Sequence, residues 1–133
     1  MTQDAELKIA IYNKLTSASD FNTNIGGRVY FQQAEDNPTY PFCVYSIFAD
    51  TNSFDSAEQW EETFIQFSIF DENNTSVNVD LLTSNLIDLL YGTTLTFSNY
   101  TQISFERIAK RNGFSTDDTW QKIIEYRIEL QHN

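Results

Sequence analysis

GGRVYFQQAEDNPTYPFCVYSIF, residues 26–48, predicts two short strands separated by a polar loop. The doubled glycine that opens the stretch lets the chain turn out of a preceding helical part, because glycine adopts positive φ without steric cost. Arg28–Gln32 then predicts the first strand. Pro38 and Pro41 lack a backbone donor, which suits a loop and the first position of a strand. These are instructions for a fold, and they contain no catalytic constellation.

The second strand of this stretch is unusually apolar. Phe42–Ala49 is apolar on both faces except at Ser46. Such a pattern is typical of a strand that is covered on both sides. It predicts either a central strand within the chain or a strand whose second face is covered in an oligomer.

Two amphipathic helices flank this region. Leu7, Ile11 and Leu15 recur every four residues and predict a first helix of roughly four turns. A polar, turn-like segment, Ser17–Asn24, follows it. The second helix is predicted within residues 73–92, and Gly92 is a suitable residue just past its end. Its apolar stripe consists of Val79, Leu82, Leu86 and Leu89 or Leu90.

The remaining segments predict strands. Trp60–Asp71 alternates between apolar and polar residues, as expected for a strand with one face on the core. Gln102–Lys110 also predicts a strand, but its apolar phase slips between Phe105 and Ile108, which indicates a bulge or a bend. The segment RNGFSTDDTW contains an Asn-Gly turn signal and joins that strand to the last one as a long hairpin. The last strand alternates most clearly, with Ile124, Tyr126, Ile128 and Leu130 on one face and Glu125, Arg127, Glu129 and Gln131 on the other. Leu95–Phe97 is a candidate for an additional short strand.

The predicted order is α, β, β, β, α, (β), β, β. Two helices with one apolar stripe each can cover one face of a mostly antiparallel sheet. The sequence therefore predicts an α+β, two-layer domain with both amphipathic helices on one face of the sheet. No repeat or linker divides the chain, so residues 1–133 are predicted to form a single domain.

Charge and composition limit the possible functions. The 133 residues include 19 acidic and 8 basic ones, a formal net charge of −11, and 41% are hydrophobic. This balance argues against wrapping DNA through phosphate neutralisation, which needs clustered lysine and arginine. It is compatible with a surface that repels DNA, or with a mimic of DNA.

Motifs for chemistry or membrane insertion are lacking in the sequence. Cys43 is the only cysteine and is predicted to be a small core residue. No nucleophile elbow, phosphate-binding glycine loop or regular metal-ligand spacing occurs, so we expect neither an enzyme nor a cofactor. No apolar run approaches membrane-spanning length and the first residues lack signal-peptide character, so we expect a soluble protein made in the cytoplasm.

The whole layout resembles the tail terminator, or tail-completion, proteins of long-tailed bacteriophages and prophages. The likeness covers nearly the whole chain, from the opening amphipathic helix to the closing pair of strands. It is carried by a Gly-Arg-Val-Tyr turn and strand, a Pro-aromatic start of the next strand and a final alternating strand. The matching residues are Gly27, Arg28, Val29, Tyr30, Pro41, Phe42, Tyr126, Arg127 and Ile128.

The resemblance implies an assembly role in the virion tail. It also implies that the protein is in the host cytoplasm during assembly. Such proteins form a ring, commonly of six subunits, at the head-proximal end of the tail tube. The ring stops tube polymerisation and offers a surface to the head-closure or connector protein. The implied partners are thus other copies of the chain, the tube protein and the connector, with DNA only passing through the channel and no membrane.

Two groups of residues are candidates for contacts. An acidic segment between two predicted strands is a candidate for the channel wall or for a subunit contact, and a plain solvated loop is the alternative. Its candidate residues are Asp50, Phe54, Asp55, Glu58, Trp60, Glu61 and Glu62. The basic cluster Arg107, Lys110 and Arg111 predicts a salt-bridged strand face, or else an interface with an acidic neighbour.

Two other classes of function remain as alternatives. A small acidic inhibitor that mimics DNA would explain the charge, but such mimics need regularly spaced carboxylates on one face. A small enzyme ranks last, because no nucleophile–base pair or metal set is recognisable.

Overall fold

Three helices and five strands make up the parts of the chain that the computed structural model describes, residues 3–53, 60–73, 75–113 and 119–133. The helices are α1 (Gln3–Leu15), α2 (Asp20–Ile25) and α3 (Val77–Leu90). The strands are β1 (Val29–Phe31), β2 (Phe42–Ser53), β3 (Trp60–Glu72), β4 (Tyr100–Asn112) and β5 (Thr119–His132).

The strands form one mostly antiparallel sheet in the order β1-β2-β3-β5-β4. β1 pairs with β2 in parallel, and the other three pairs are antiparallel. The three helices pack against one face of this sheet around a single core. The predicted α+β, two-layer arrangement is confirmed.

Alternation along the strands places the core. Ile65 and Phe67 of β3 lie opposite Tyr126 and Ile124 of β5, and all four side chains are buried. The side chains between them point to the other face, because successive residues of a strand alternate. The apolar phase predicted for both strands from the sequence is therefore confirmed.

The helices bury the stripes that the sequence predicted. Leu7, Ile11 and Leu15 of α1 are buried, as are Val79, Leu82, Leu86 and Leu90 of α3. α1 is also held by polar contacts. The Tyr45 hydroxyl of β2 donates a hydrogen bond of 2.8 Å to the Lys8 carbonyl.

The stretch 26–48 folds around two glycines with positive φ. Gly26 (φ 68°) caps α2 and Gly27 (φ 72°) turns the chain into β1. The Arg28 side chain then reaches forward, and its Nε donates to the Pro41 carbonyl at 2.8 Å. The Tyr40–Pro41 peptide is cis. The hydrogen bond between Arg28 and Pro41 joins the start of β1 to the start of β2. These two starts lie side by side because the strands pair in parallel.

Two local predictions are wrong. The segment predicted as a turn contains α2, whose Ser19 side chain accepts from the Asn22 backbone N–H at 3.1 Å and whose Phe21 and Ile25 are buried. Residues 95–97 form no strand, because the Gln102 side chain satisfies the Leu95 N–H at 2.9 Å in place of a neighbouring strand.

The predicted irregularity in β4 is confirmed. The register of β4 against β5 shifts between Arg107 and Ala109, which leaves Ile108 as an extra residue. A second shift between Gln102 and Ser104 does the same for Ile103. Each shift is a β-bulge, which bends a strand and increases its twist.

Candidate functional site

The acidic segment of residues 50–59 does not begin as a loop. Asp50 lies in β2 opposite Thr63 of β3, and β2 continues to Ser53. The predicted loop is therefore wrong for residues 50–53, because pairing with β3 holds these polar residues extended despite their low strand propensity. Three of the predicted contact residues lie outside the described residues, namely Phe54, Asp55 and Glu58.

The other predicted contact residues lie at the start of β3. Trp60 pairs with Ser53 and Gln131. Glu61 and Glu62 are neighbours in an extended strand, so they point to opposite faces of the sheet. The structure therefore separates these two carboxylates, and only Glu62 lies on the face away from the helices.

That face of the sheet, which we call the open face, has an aromatic end. The described helices all pack on the opposite side. The Phe42 ring stacks on Phe70 with centroids 4.9 Å apart, and Tyr40 and Tyr30 lie 5.2 and 6.1 Å from Phe42. These rings cover Phe42 so well that only 6% of it is exposed.

Beside the aromatic rings runs a shallow groove of about 400 Å³. It is lined by Gln32, Ala34, Val44, Ser46, Gln66 and Ser68 together with Phe42 and Phe70. Farther along the open face, Phe48 is exposed and lies 5.8 Å from the Phe64 ring. The chain itself thus covers only part of the apolar second face of β2.

The other end of the open face is ionic. Arg127 of β5 pairs with Glu62 of β3 at 2.7 Å, and it also pairs with Glu106 of β4 and Glu129 of β5. The hydrogen bonds that Arg127 donates to Glu106 and Glu62 raise the pKa of Arg127 above its already high ordinary value, although burial opposes this. Three carboxylates therefore share one permanent cation. Together these four charged groups have a net charge of −2.

This ionic cluster was only partly predictable. Glu62 was a candidate, and the alternation of β5 placed Glu125, Arg127 and Glu129 on one face. The meeting of Glu62 with Arg127 depends on register across the sheet, which the sequence does not display. The cluster also converges on one point, whereas a mimic of DNA needs a row of separated negative charges.

The predicted basic cluster lies on an edge strand. The cluster belongs to β4, the outermost strand at one edge of the sheet, and consists of Arg107, Lys110 and Arg111. Arg111 pairs with Glu125 of β5 at 2.6 Å, as expected for a salt-bridged strand face. Both extra residues at the bulges are exposed, Ile103 by 43% and Ile108 by 45%.

A second exposed apolar surface lies on α3. Val77, Leu81 and Tyr91 are exposed on the side of the helix opposite its buried stripe. The apolar stripe predicted for this helix contains only the residues that face the core. The spacing of Val77 and Leu81, four residues apart and out of phase with that stripe, was the available signal.

An apolar groove of about 370 Å³ lies between α1 and the outer edge of β1. Ile9 and Tyr12 form one wall, and Val29 and Phe31 contribute to the other. The Lys8 ammonium lies 4.9 Å from the centre of the Phe31 ring. This groove is therefore lined by apolar side chains next to a positive charge.

The described residues offer little for catalysis or metal binding. No three histidine, cysteine or acidic side chains among them are grouped so as to hold a metal ion. Cys43 is buried, and burial raises the pKa of its thiol to about 12, so it is not a nucleophile at neutral pH. No helix in the described ranges has both the length and the apolar character needed to span a membrane.

Solved structures share this fold, and two of them are described here by name. A chain from the virion of a native gene transfer agent (GTA) particle superposes with a TM-score of 0.82 at 14% identity, over 98% of this chain and 99% of that one. The bacteriophage SPP1 gp17 protein superposes with a TM-score of 0.60 at 18% identity, over 93% of this chain and 87% of that one. Neither a protein-family model nor a curated protein matches the chain. At these identities the likeness shows a shared fold.

Proposed function

We propose that this chain is a non-enzymatic assembly protein of a phage or prophage tail. The observation that carries the proposal is the fold likeness over almost the full length of a chain from a virion particle. It agrees with the resemblance of the sequence to tail terminators, which rests on the stretch 26–48 and the last strand. The sequence layout and the three-dimensional fold thus support the same class.

In its specific form, the proposal is a ring that caps the head-proximal end of the tail tube. Six copies are the expected number, by the resemblance to tail terminators. The ring would end tube polymerisation on one side and meet the head connector on the other. Exposed apolar side chains on α3, β4 and the open face support this role, because clustered exposed apolar residues mark interaction sites.

The acidic balance suits passage of DNA through such a ring. A negative channel wall repels the phosphate backbone and prevents adhesion, over about one Debye length, roughly 8–10 Å in physiological salt. We propose that Asp50, Asp55 and Glu58, with Glu61 and Glu62 beside them, contribute to this wall or to a subunit contact. The ionic cluster around Arg127 adds further net negative charge on the open face.

A capping experiment tests the proposed function. Purified chain is added to growing tail tubes of the same phage, and the products are examined by light scattering and electron microscopy. We expect elongation to stop and one end of each tube to carry an additional ring of density. An unrelated protein of similar size and net charge serves as the control for unspecific charge effects. Tubes that keep growing, with both ends bare, would refute the proposal.

A further inference from the structure

Two exposed surfaces of the chain are apolar and opposite in charge. The first, which we call the basic edge, consists of Ile103, Arg107, Ile108 and Lys110 on β4. The second, which we call the acidic helix face, consists of Val77, Leu81, Asp88 and Tyr91 on α3. Together they hold five of the eight large hydrophobic side chains that are exposed among the described residues.

The basic edge stands out against the charge of the whole chain. β4 contains three basic residues, Arg107, Lys110 and Arg111, and one acidic residue, Glu106, which gives +2. Since the net charge of the chain is −11, the rest of the chain carries −13. Copies of this protein therefore repel each other in most orientations. The positive charge of the basic edge instead attracts negative surface on another copy.

The acidic helix face has the complementary character. α3 contains two acidic residues, Asp80 and Asp88, and no basic residue. Asp80 pairs with Lys122 of β5 at 3.3 Å, so Asp88 supplies the negative charge of this face. The steps between Val77, Leu81, Asp88 and Tyr91 are four, seven and three residues, so these residues lie on one side of the helix, with Tyr91 directly after its last residue. Apolar side chains with one nearby charge are a typical composition for a contact patch.

The basic edge is built for contact through side chains. An unpaired edge strand can pair with another strand, but bulges and basic residues oppose such pairing. β4 has both, with Ile103 and Ile108 standing at its two bulges. The bulges disrupt the regular ladder and leave two isoleucines exposed beside the positive charges.

Other surfaces fit the basic edge less well. The groove between α1 and β1 is apolar, but the Lys8 ammonium stands in its wall and would repel Arg107 and Lys110. The cluster on the open face has a net charge of −2, but its three carboxylates, Glu62, Glu106 and Glu129, are all engaged by Arg127 of the same chain. The acidic helix face combines exposed apolar side chains with an exposed carboxylate at Asp88.

We propose that the basic edge of one copy docks on the acidic helix face of a second copy. The two surfaces differ, so the contact is head-to-tail, and a chain of copies has an unused basic edge at one end and an unused acidic helix face at the other. Such a contact generates a closed ring when the rotation between copies closes and a helical filament when it does not. The expectation that the ring closes rests on the proposed function, whereas the contact itself does not.

Cysteine cross-linking tests the contact. Leu81→Cys and Ile108→Cys are purified separately, mixed and oxidised mildly, with buried Cys43 left in place. We expect linked dimers to form about tenfold faster, or more, in the mixture than with either variant alone, because docking raises the local thiol concentration. A chain carrying both substitutions should give a ladder of linked oligomers.

A matched control uses another exposed isoleucine. Ile9 on α1 is 48% exposed, close to the 49% of Leu81, but lies outside both surfaces. Ile9→Cys mixed with Ile108→Cys should cross-link no faster than either variant alone. If Ile108→Cys does not fold, Ile103→Cys takes its place. Equal rates for the Leu81 and Ile9 mixtures would overturn the inference.

A charge exchange adds a second, independent readout. Arg107→Glu with Lys110→Glu in the Ile108→Cys chain should slow linking to the Leu81→Cys chain. Asp88→Lys in the Leu81→Cys chain should then restore the rate toward that of the original pair. A slowed rate that this exchange does not restore would contradict the electrostatic match of the two surfaces.

The outcome is separable from that of the capping experiment. Cross-linked ladders without capping of tubes would keep the contact and refute the tail-cap function. Capping of tubes without preferential cross-linking would keep the function and refute this contact.

Discussion

Tyr45 joins the helical layer to the sheet. Its ring lies between Phe31 and Phe67, and its hydroxyl bonds to the Lys8 carbonyl of α1. The ring supplies packing, and the hydroxyl satisfies a backbone group of the neighbouring layer. A tyrosine is therefore better suited to this position than a phenylalanine.

Tyr45→Phe isolates the hydroxyl. We expect a loss of about 1 kcal/mol in the free energy of unfolding, which is the usual net contribution of a buried hydrogen bond to stability. Tyr91→Phe serves as the control, because Tyr91 is highly exposed and its hydroxyl should contribute less than about 0.5 kcal/mol. Urea denaturation of both variants gives the comparison. Equal stabilities of the two variants would show that the bond contributes nothing.

Glu6 on α1 anchors the segment that leads into β4. Its carboxylate accepts from the backbone N–H groups of Ser98 and Asn99 at 2.7 and 3.2 Å and from the Asn99 side chain at 3.2 Å. Burial favours the protonated form, but these hydrogen bonds outweigh it and lower the pKa of Glu6 from its ordinary 4.5. The ionised carboxylate is thus the form that stabilises the fold.

This lowered pKa predicts a dependence of stability on pH. The contribution of Glu6 is fully present above pH 4.5 and is lost as the pH falls through the lowered folded value. We expect wild type to be more stable than Glu6→Gln at neutral pH, with the difference shrinking as the pH falls below 4.5. Thermal denaturation at several pH values measures it, with exposed Glu72→Gln as control for the loss of one charge. A constant difference at all pH values would contradict this role.

Among the elements, the turn before β1 depends on glycine geometry. Gly27 has φ 72°, and a Cβ there would meet nothing nearer than the Asn22 Oδ1 at 3.9 Å. Space is therefore available, and a substitution costs only the strain of the left-handed backbone. Gly27→Ala should lose about 1–2 kcal/mol of stability.

Gly27→Asn provides the matched comparison. Asparagine tolerates the left-handed region better than alanine does, so it should lose distinctly less stability. The two free energies of unfolding from chemical denaturation decide the point. An alanine variant as stable as the wild type would show that β1 does not need this turn.

The sequence predicted the elements whose periodicity is long. The alternation of β3 and β5 and the stripes of α1 and α3 fixed the layers, and the phase slip near Ile108 predicted the bulge in β4. α2 was not predicted, because six residues give too little periodicity. Its sequence signals were the Ser19 cap and the apolar pair Phe21 and Ile25. The extension of β2 through Asp50 to Ser53 was not predicted either. Pairing with β3 stabilises this part of the strand, and local strand propensity does not.

The candidate site was less predictable than the fold. The basic residues of β4 were identified as a group, but their position on an edge strand follows from the strand order. The ionic cluster joins Glu62 with Arg127, residues 65 positions apart in sequence. Contacts of that kind depend on register across the sheet, and periodicity within one segment carries no information about register.

At the scale of the whole molecule, the charge of −11 predicts how DNA moves through a ring. Replacing Asp50, Asp55 and Glu58 together with lysine should leave rings able to assemble and to join heads. DNA ejection should slow in low salt, because the polyanion would adhere to a positive wall, and the defect should ease in high salt. Ejection kinetics at two ionic strengths provide the measurement.

The control for that experiment changes the same charge elsewhere. Glu35, Asp36 and Glu72 are exposed residues away from the acidic segment, and their replacement with lysine should leave ejection unchanged. Normal ejection by the first variant in low salt would remove the acidic segment from the channel wall. Rings that fail to form would instead make this segment a contact between subunits, with Phe54 and Trp60 as the next side chains to truncate.

The most direct test of the proposed tail-terminator role is electron microscopy of particles made by the encoding phage or prophage without this gene. We expect DNA-filled heads with no attached tails, alongside tubes of abnormal length, and normal particles once the chain is supplied again. Normal, infectious, tailed particles from the deletion would contradict it.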